Sequence, residues 1–143
     1  MRAVAIGLKI PDNAAYTACV ALRRLGVDVE RIERSEIWFF DENDDAVLER
    51  RILDDETIFN PNKHRLTLLD QPLPRCGEVW IEPLSPASRG AAAVAWRLFD
   101  ANGKSVARAI LDAAIERLLC NPAIDRAVTG SDRSDRDIPI ASE

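Results

Sequence analysis

The chain has 143 residues, of which 47% are hydrophobic and 30% are charged, with a formal net charge of −5. A chain of this length makes about one domain, and this composition is too apolar for disorder throughout. The acidic balance disfavours binding to nucleic acids and anionic membranes, because a negative surface repels phosphate groups.

Three cysteines, Cys19, Cys76 and Cys120, are widely spaced along the chain. An odd count without a C-x-x-C pair predicts neither a disulfide framework nor a zinc site. The first residues lack the apolar stretch and cleavage site of a signal peptide, and no apolar run is long enough to cross a membrane. We therefore expect a soluble cytoplasmic protein.

Hydrophobic periodicity predicts alternating strands and helices. Asp12 suits the N-cap of the first helix, and Gly26 suits the turn that ends it. The second strand changes phase along its length, so we expect a bend or bulge near Ser35. The predicted strands cover residues 3–10, 27–40, 64–69, 78–81, 92–100 and 123–129, and the predicted helices cover residues 13–25, 46–59 and 105–119.

The segment Gln71-Pro72-Leu73-Pro74 is a stiff connector and the clearest boundary in the chain. We expect a β-α-β-α-β section over residues 1–70, a connector and loop over 71–90, a β-α-β section over 91–130 that packs with the first, and a mobile polar tail over 131–143. Both sections contain a helix that ends at Asn-Pro and precedes a strand, which hints at an internal duplication.

These elements predict the α+β class, in the form of a ferredoxin-like two-layer sandwich with a mostly antiparallel sheet and helices on one face. Such a sheet leaves its other face bare. The aromatic residues predicted on strands are more than one helix layer could cover. We therefore expect a homo-oligomer that buries this face, with Trp38, Phe40 and Trp96 at the interface.

The sequence predicts no catalytic residue, no metal site and no cofactor. The Gly103-Lys104-Ser105 run lacks the earlier glycine of a phosphate-binding loop, because Leu98 stands there. The acidic run 41–45 lacks the central glycine and final glutamate of a calcium loop, since Ala46 and Ile52 occupy those positions. An enzyme acting alone is therefore not expected.

One turn does gather groups that could recognise an anion. Lys63, His64 and Arg65 follow one another there, beside the amides of Asn60 and Asn62. Lysine and arginine donate charge-assisted hydrogen bonds to phosphate or carboxylate. The three residues are thus a candidate ligand site, and an exposed turn without function is the competing interpretation.

Several segments resemble the PurS family, the small subunit of bacterial phosphoribosylformylglycinamidine synthase. They are LKIP at residues 8–11, ALRRLG at 21–26, VERI at 29–32 and LLCNPAI at 118–124. The resemblance covers about half the chain. The D-P-x-G turn of the family is replaced by residues 11–14, the chain is longer, and residues 71–90 have no counterpart, so the second half is expected to be divergent.

The resemblance implies a non-catalytic scaffold that self-assembles through its sheets. Such a subunit bridges a large synthetase subunit and a glutaminase subunit in purine biosynthesis, and the partners hold the ATP- and glutamine-dependent chemistry. The alternative hypothesis is a dimeric α/β small-molecule binding module, or a minor enzyme, with a cleft near Trp38, His64 and Trp96. A structural protein without either role stays open as well, because fold does not imply function.

Overall fold

The computed structural model describes residues 1–85 and 90–130. Residues 86–89 of the expected loop, and the expected mobile tail over 131–143, lie outside these residues. The strands are β1 (Arg2–Leu8), β2 (Arg31–Phe40), β3 (His64–Leu68), β4 (Glu78–Pro83), β5 (Ala93–Phe99) and β6 (Asp125–Thr129). The helices are α1 (Asn13–Arg24), α2 (Asp45–Leu53) and α3 (Arg108–Ala114), and α3 continues as a π-helical turn over Ile115–Leu119.

Within residues 1–85 and 90–130, six strands form one sheet in the order β3-β1-β2-β5-β4-β6, and every neighbouring pair is antiparallel. The three helices of these residues pack on one face of this sheet, which we call the helix face; we call the other the opposite face. The α+β class with an antiparallel sheet is therefore confirmed. The finer ferredoxin-like assignment stays a prediction.

The helices cover the helix face in two groups. Helices α1 and α3 pack on β2, β4 and β5, with Leu22 and Leu98 fully buried between them. Helix α2 packs on β1 through Leu48 and Ile52, which contact Val4 and its neighbours. Each helix buries one apolar stripe, as expected for a surface helix.

The sheet's opposite face carries a third apolar cluster built from small side chains around one large one. Trp80 lies at its centre and is 0% exposed, and Ala95 and Ile37 are buried beside it. The connector packs over part of this face, since a Cβ added to Gly130 would lie 2.8 Å from the carbonyl oxygen of Pro74. The expectation of a bare opposite face is therefore wrong around Trp80.

The aromatic residues are divided between the two faces because side chains alternate along each strand. Trp38, Phe40 and Trp96 lie on the helix face, as do their cross-strand partners. Trp80 and Phe99 lie on the opposite face. The aromatic surplus inferred from the sequence is thus accounted for by two apolar layers.

The second strand is shorter and more regular than expected. It begins at Arg31, and Val27 and Val29 are buried in the connection that precedes it. Ser35 pairs in unbroken register with Gly7 on one side and Ala95 on the other. The expected bulge near Ser35 is wrong, because the change of phase marks the start of the strand.

Two helices also differ from the expected lengths. Helix α2 ends at Leu53, and a separate turn closed by the Phe59 amide bonding to the Asp55 carbonyl follows it. Helix α3 begins at Arg108 because the Val106 amide donates to the Leu98 carbonyl and keeps the chain on the sheet. Leu118, near the end of this helix, is 42% exposed.

The two halves of the sheet have the same strand order. In the first half β1 lies between β2 and β3, and in the second half β4 lies between β5 and β6. The halves join where β2 pairs with β5. The fold thus has an internal pseudo-two-fold axis between these two strands.

Backbone hydrogen bonds show which residues are equivalent. The Lys9 amide donates to the Lys63 carbonyl over 2.8 Å, and the Leu84 amide donates to the Ile124 carbonyl over 2.9 Å. The two Asn-Pro turns match as well, because the side-chain oxygens of Asn60 and Asn121 each accept from the amide two residues later. The repeated Asn-Pro in the sequence therefore marks equivalent turns of the two halves.

The buried stripe of α1 yields a stability prediction. Leu22→Ala should lower the free energy of unfolding by about 2–5 kcal/mol, because it leaves a cavity in a close-packed core. Ile110→Ala should cost less than Leu22→Ala, since Ile110 is half-buried. Leu25→Ala is the control and should change stability by about 0.5 kcal/mol or less, since Leu25 is 46% exposed. Urea unfolding measures all three, and equal losses for Leu22 and Leu25 would contradict the packing of α1.

Candidate functional site

A cleft of about 630 Å³ opens where β1 ends and α1 begins. Gly7, Ser35 and Ala5 line it on the opposite face, from the adjoining strands β1 and β2, and Arg34 and Cys19 line it on the helix face. The residues on the opposite face are small, so the backbone itself is accessible from the cleft. Glycine inside a strand often marks a position where another group approaches the backbone closely.

The cleft is basic although the chain as a whole is acidic. Three carboxylates, those of Asp12, Glu30 and Glu33, line it. Twice as many cationic side chains line it, namely Lys9, Arg31, Arg34, Arg65, Arg75 and Arg97. A concave surface lined by one excess charge focuses its field and attracts ligands of the opposite sign.

Several of these cations already have partners. Arg75 donates to both carboxylate oxygens of the fully buried Glu78, over 2.9 and 3.2 Å. Arg31 bonds Glu33 over 2.5 Å, and Arg97 lies 3.6 Å from that same carboxylate. These ion pairs hold the arginine side chains around the cleft.

Other donors are unpaired. Among residues 1–85 and 90–130, Arg65 and Lys9 have no side-chain hydrogen bond or ion pair. The Nε atom of Arg97 is buried and lacks a hydrogen-bond partner within the same residues. Burial, and after it the neighbouring Arg75 guanidinium, lower the pKa of Arg97 below its usual value. An anion in the cleft would give these donors the acceptors they lack.

Asp12 lines the cleft beside Arg34, and its two carboxylate oxygens make different contacts. Its Oδ1 atom caps α1 by accepting from the amides of Ala14 and Ala15, as the sequence predicts. Its Oδ2 atom is buried without a hydrogen bond and lies 3.6 Å from the Arg34 guanidinium. This oxygen could accept a hydrogen bond from a ligand hydroxyl or amine.

The predicted Lys63-His64-Arg65 group does not converge on one site. Side chains of consecutive strand residues point to opposite faces, so Arg65 lines the cleft and His64 does not. The His64 Nδ1 atom accepts from the Asn60 amide over 2.9 Å, and its ring lies 5.9 Å from that of Phe59. Lys63 is exposed, and its backbone amide donates to the Asn60 carbonyl within the turn. His64 therefore has a structural role here, and Arg65 alone belongs to the cleft.

Trp38, Phe40 and Trp96 are half-buried on the helix face and line no part of the cleft. The Arg51 guanidinium lies 5.4 Å from the ring centre of Phe40, within the range of a cation–π contact. The cleft is therefore not at the position near Trp38, His64 and Trp96 that the sequence suggested. Contact of these aromatic residues with a second chain stays a prediction.

Sequence reasoning missed Arg75, Arg97, Gly7 and Ser35. The strand positions of Gly7 and Ser35 were foreseeable, and a glycine within a strand was a usable signal. Arg97 and Arg75 lie close together because Arg97 on β5 pairs with Glu78 on β4, to which Arg75 bonds. No local sequence pattern specifies that β4 pairs with β5.

In the part of the chain that the structure describes, no three His, Cys, Asp or Glu residues are grouped so that they could hold a metal ion. No helix in that part has the length and apolar character needed to cross a membrane.

The cysteines yield a reactivity prediction. Cys19 is buried beside the cleft, and its Sγ atom donates to the Glu30 carbonyl over 3.5 Å. Burial raises the pKa of the Cys19 thiol; Arg23 opposes this shift and Glu30 adds to it. A raised pKa leaves less thiolate at pH 8, so iodoacetamide should modify Cys19 at least about tenfold more slowly than the exposed Cys76. Peptide mapping measures both rates, which should converge in urea; equal rates in the native protein would contradict the burial of Cys19.

Comparisons with known proteins found no match. No protein-family profile matches the chain, no curated protein matches its sequence, and no solved structure matches its fold. The resemblance to PurS therefore stays a prediction.

Proposed function

We propose that this protein binds a small anionic molecule, with a carboxylate or phosphate group, in the cleft beside Gly7. The observation that carries the proposal is the unpaired Arg65 at the edge of a basic cleft in an acidic chain. An anion would neutralise the excess of cations and accept from the Arg97 Nε atom.

The residue types support this chemistry. Guanidinium groups present several donors in a fixed plane that matches carboxylate and phosphate. Three such groups, on Arg65, Arg75 and Arg97, come from β3, the connector and β5. Arginines held on separate elements by one sheet form a preorganised site, which lowers the entropic cost of binding.

The same geometry favours binding over catalysis. The single histidine of the chain, His64, uses its Nδ1 atom in a backbone hydrogen bond outside the cleft. The Cys19 thiol that lines the cleft has a raised pKa, which makes it a poor nucleophile. We therefore place the protein among binding modules.

Ligand binding should be visible as thermal stabilisation. A panel of metabolites with carboxylate or phosphate groups should contain compounds that raise the melting temperature with concentration, because binding to the native state stabilises it. Arg65→Ala should weaken this binding about tenfold or more, since hydrogen bonds to charged groups are the strong ones. Calorimetry gives the affinities.

Arg50→Ala is the matched control, because Arg50 is exposed on α2 and lies outside the cleft. It should leave the affinities unchanged. The proposal fails if no compound of the panel binds, or if the two variants lose affinity equally.

We also propose the PurS-like scaffold as a second function, on the strength of a different observation. The edge strands of the sheet are β3 and β6, and within residues 1–85 and 90–130 each of them pairs with a neighbour on one side alone. Unpaired strand edges are templates for pairing with another chain. Self-assembly through such edges is what the PurS resemblance implies, followed by contact with synthetase and glutaminase subunits.

The scaffold function predicts an oligomer. Light scattering after gel filtration should give a mass of at least twice 15.9 kDa, and tagged protein should recover an amidotransferase from its own cells in comparable amounts. The amides of odd-numbered residues such as Leu69 bond to β1, so the amide of Leu66 faces the free edge of β3. Replacing Leu66 by proline removes this donor and should lower the mass if this edge pairs. A monomer for the unaltered protein would contradict the scaffold function.

A further inference from the structure

The two halves of the sheet carry different residues at one pair of equivalent positions on the opposite face. In the second half Glu82 and Arg126 face each other across β4 and β6, and Arg126 donates to the Glu82 carboxylate over 2.5 Å. In the first half the same cross-strand position pairs Gly7 with Arg65. The cation is kept in both halves, but the carboxylate is present in the second half alone.

The equivalence of these pairs rests on backbone geometry. Gly7 and Glu82 each lie two residues before the donor of a matching hydrogen bond, namely the amides of Lys9 and Leu84. Arg65 and Arg126 each lie two residues after the acceptors of these bonds, and each follows its Asn-Pro turn by the same number of residues. Gly7 therefore occupies in the first half the place that Glu82 occupies in the second.

We propose that the cleft recognises a carboxylic acid whose carboxylate lies over Gly7 and accepts from Arg65, as the Glu82 carboxylate accepts from Arg126. The inference rests on the proposed binding function and narrows the anion from carboxylate or phosphate to carboxylate. The ligand supplies the acidic group that the first half of the chain lacks.

Gly7 keeps this position of β1 free of a side chain. A Cβ atom there would be crowded, because it would lie 3.1 Å from the Ser35 Oγ atom and 3.2 Å from the Arg34 carbonyl oxygen. The Ser35 hydroxyl is therefore close enough to donate to a carboxylate that lies over the glycine. The Arg34 carbonyl and the Glu33 carboxylate in the same cleft disfavour a dianionic phosphate.

The first test is a titration of the unaltered protein followed by NMR. Acetate, succinate and inorganic phosphate are added separately at matched ionic strength. Acetate and succinate should shift the backbone amides of Gly7 and Ser35 and the Nε–H signal of Arg65 in a saturable way. Phosphate should bind at least about tenfold more weakly there, and the Arg126 signal should not respond, because Arg126 already has the Glu82 carboxylate as its partner.

The second test supplies the missing carboxylate within the chain. Gly7→Glu should be more stable than the equally large Gly7→Gln by about 1.5- to 5-fold in the unfolding equilibrium constant, as expected for an exposed ion pair. The difference should disappear when Arg65→Ala is added to both variants. The difference should also disappear in 1 M NaCl, because salt at this concentration shortens the electrostatic screening length to about 3 Å.

The outcomes separate this inference from the proposed function. Binding of phosphate at Gly7 and Arg65 without binding of acetate or succinate overturns the carboxylate assignment and leaves an anion-binding cleft. Equal stability of Gly7→Glu and Gly7→Gln with Arg65 present also overturns it. If neither variant folds, the titration of the unaltered protein decides alone, and a failure of acetate and succinate to shift these signals overturns the inference.

Discussion

The antiparallel pairing of β2 with β5 is the interaction on which the rest of the structure depends. It joins two three-stranded halves into one sheet and brings Arg97 beside Glu33 on the opposite face, at 3.6 Å. The same register places Ile32 against Leu98 in the core under α1. A shift of one residue would exchange the two faces along the whole pair, so the core and the cleft are fixed by a single register.

The cleft follows from a difference between halves that share one backbone plan. Where the second half closes its cross-strand pair with Glu82 and Arg126, the first half has Gly7 and an unpaired Arg65. Cations gathered in one cleft repel one another unless carboxylates lie near them. Glu78 pairs with Arg75 and Glu33 pairs with Arg31, and we assign the carboxylate partner of Arg65 to a ligand.

Some features of the candidate site were accessible from the sequence and others were not. Asp12 could be identified as an N-cap because capping depends on residues next to one another. Arg65 could be named as an anion-binding candidate, but the structure does not place Lys63 and His64 in the cleft that Arg65 lines. Neighbours in a strand alternate between faces, so three consecutive residues seldom act together. Arg75 and Arg97 could not be linked to Arg65 from the sequence, because they lie on distant segments that only the folded sheet brings together.

The sequence by itself determined the α+β class, the six strands and three helices found in residues 1–85 and 90–130, and the Asn-Pro turns, because periodicity and local hydrogen bonding act over a few residues. Only the tertiary structure decided which strands pair, that the opposite face is buried around Trp80, and that the two Asn-Pro turns are equivalent. Strand order and face depend on contacts between residues far apart in the chain, and the local pattern of a strand is compatible with several neighbours.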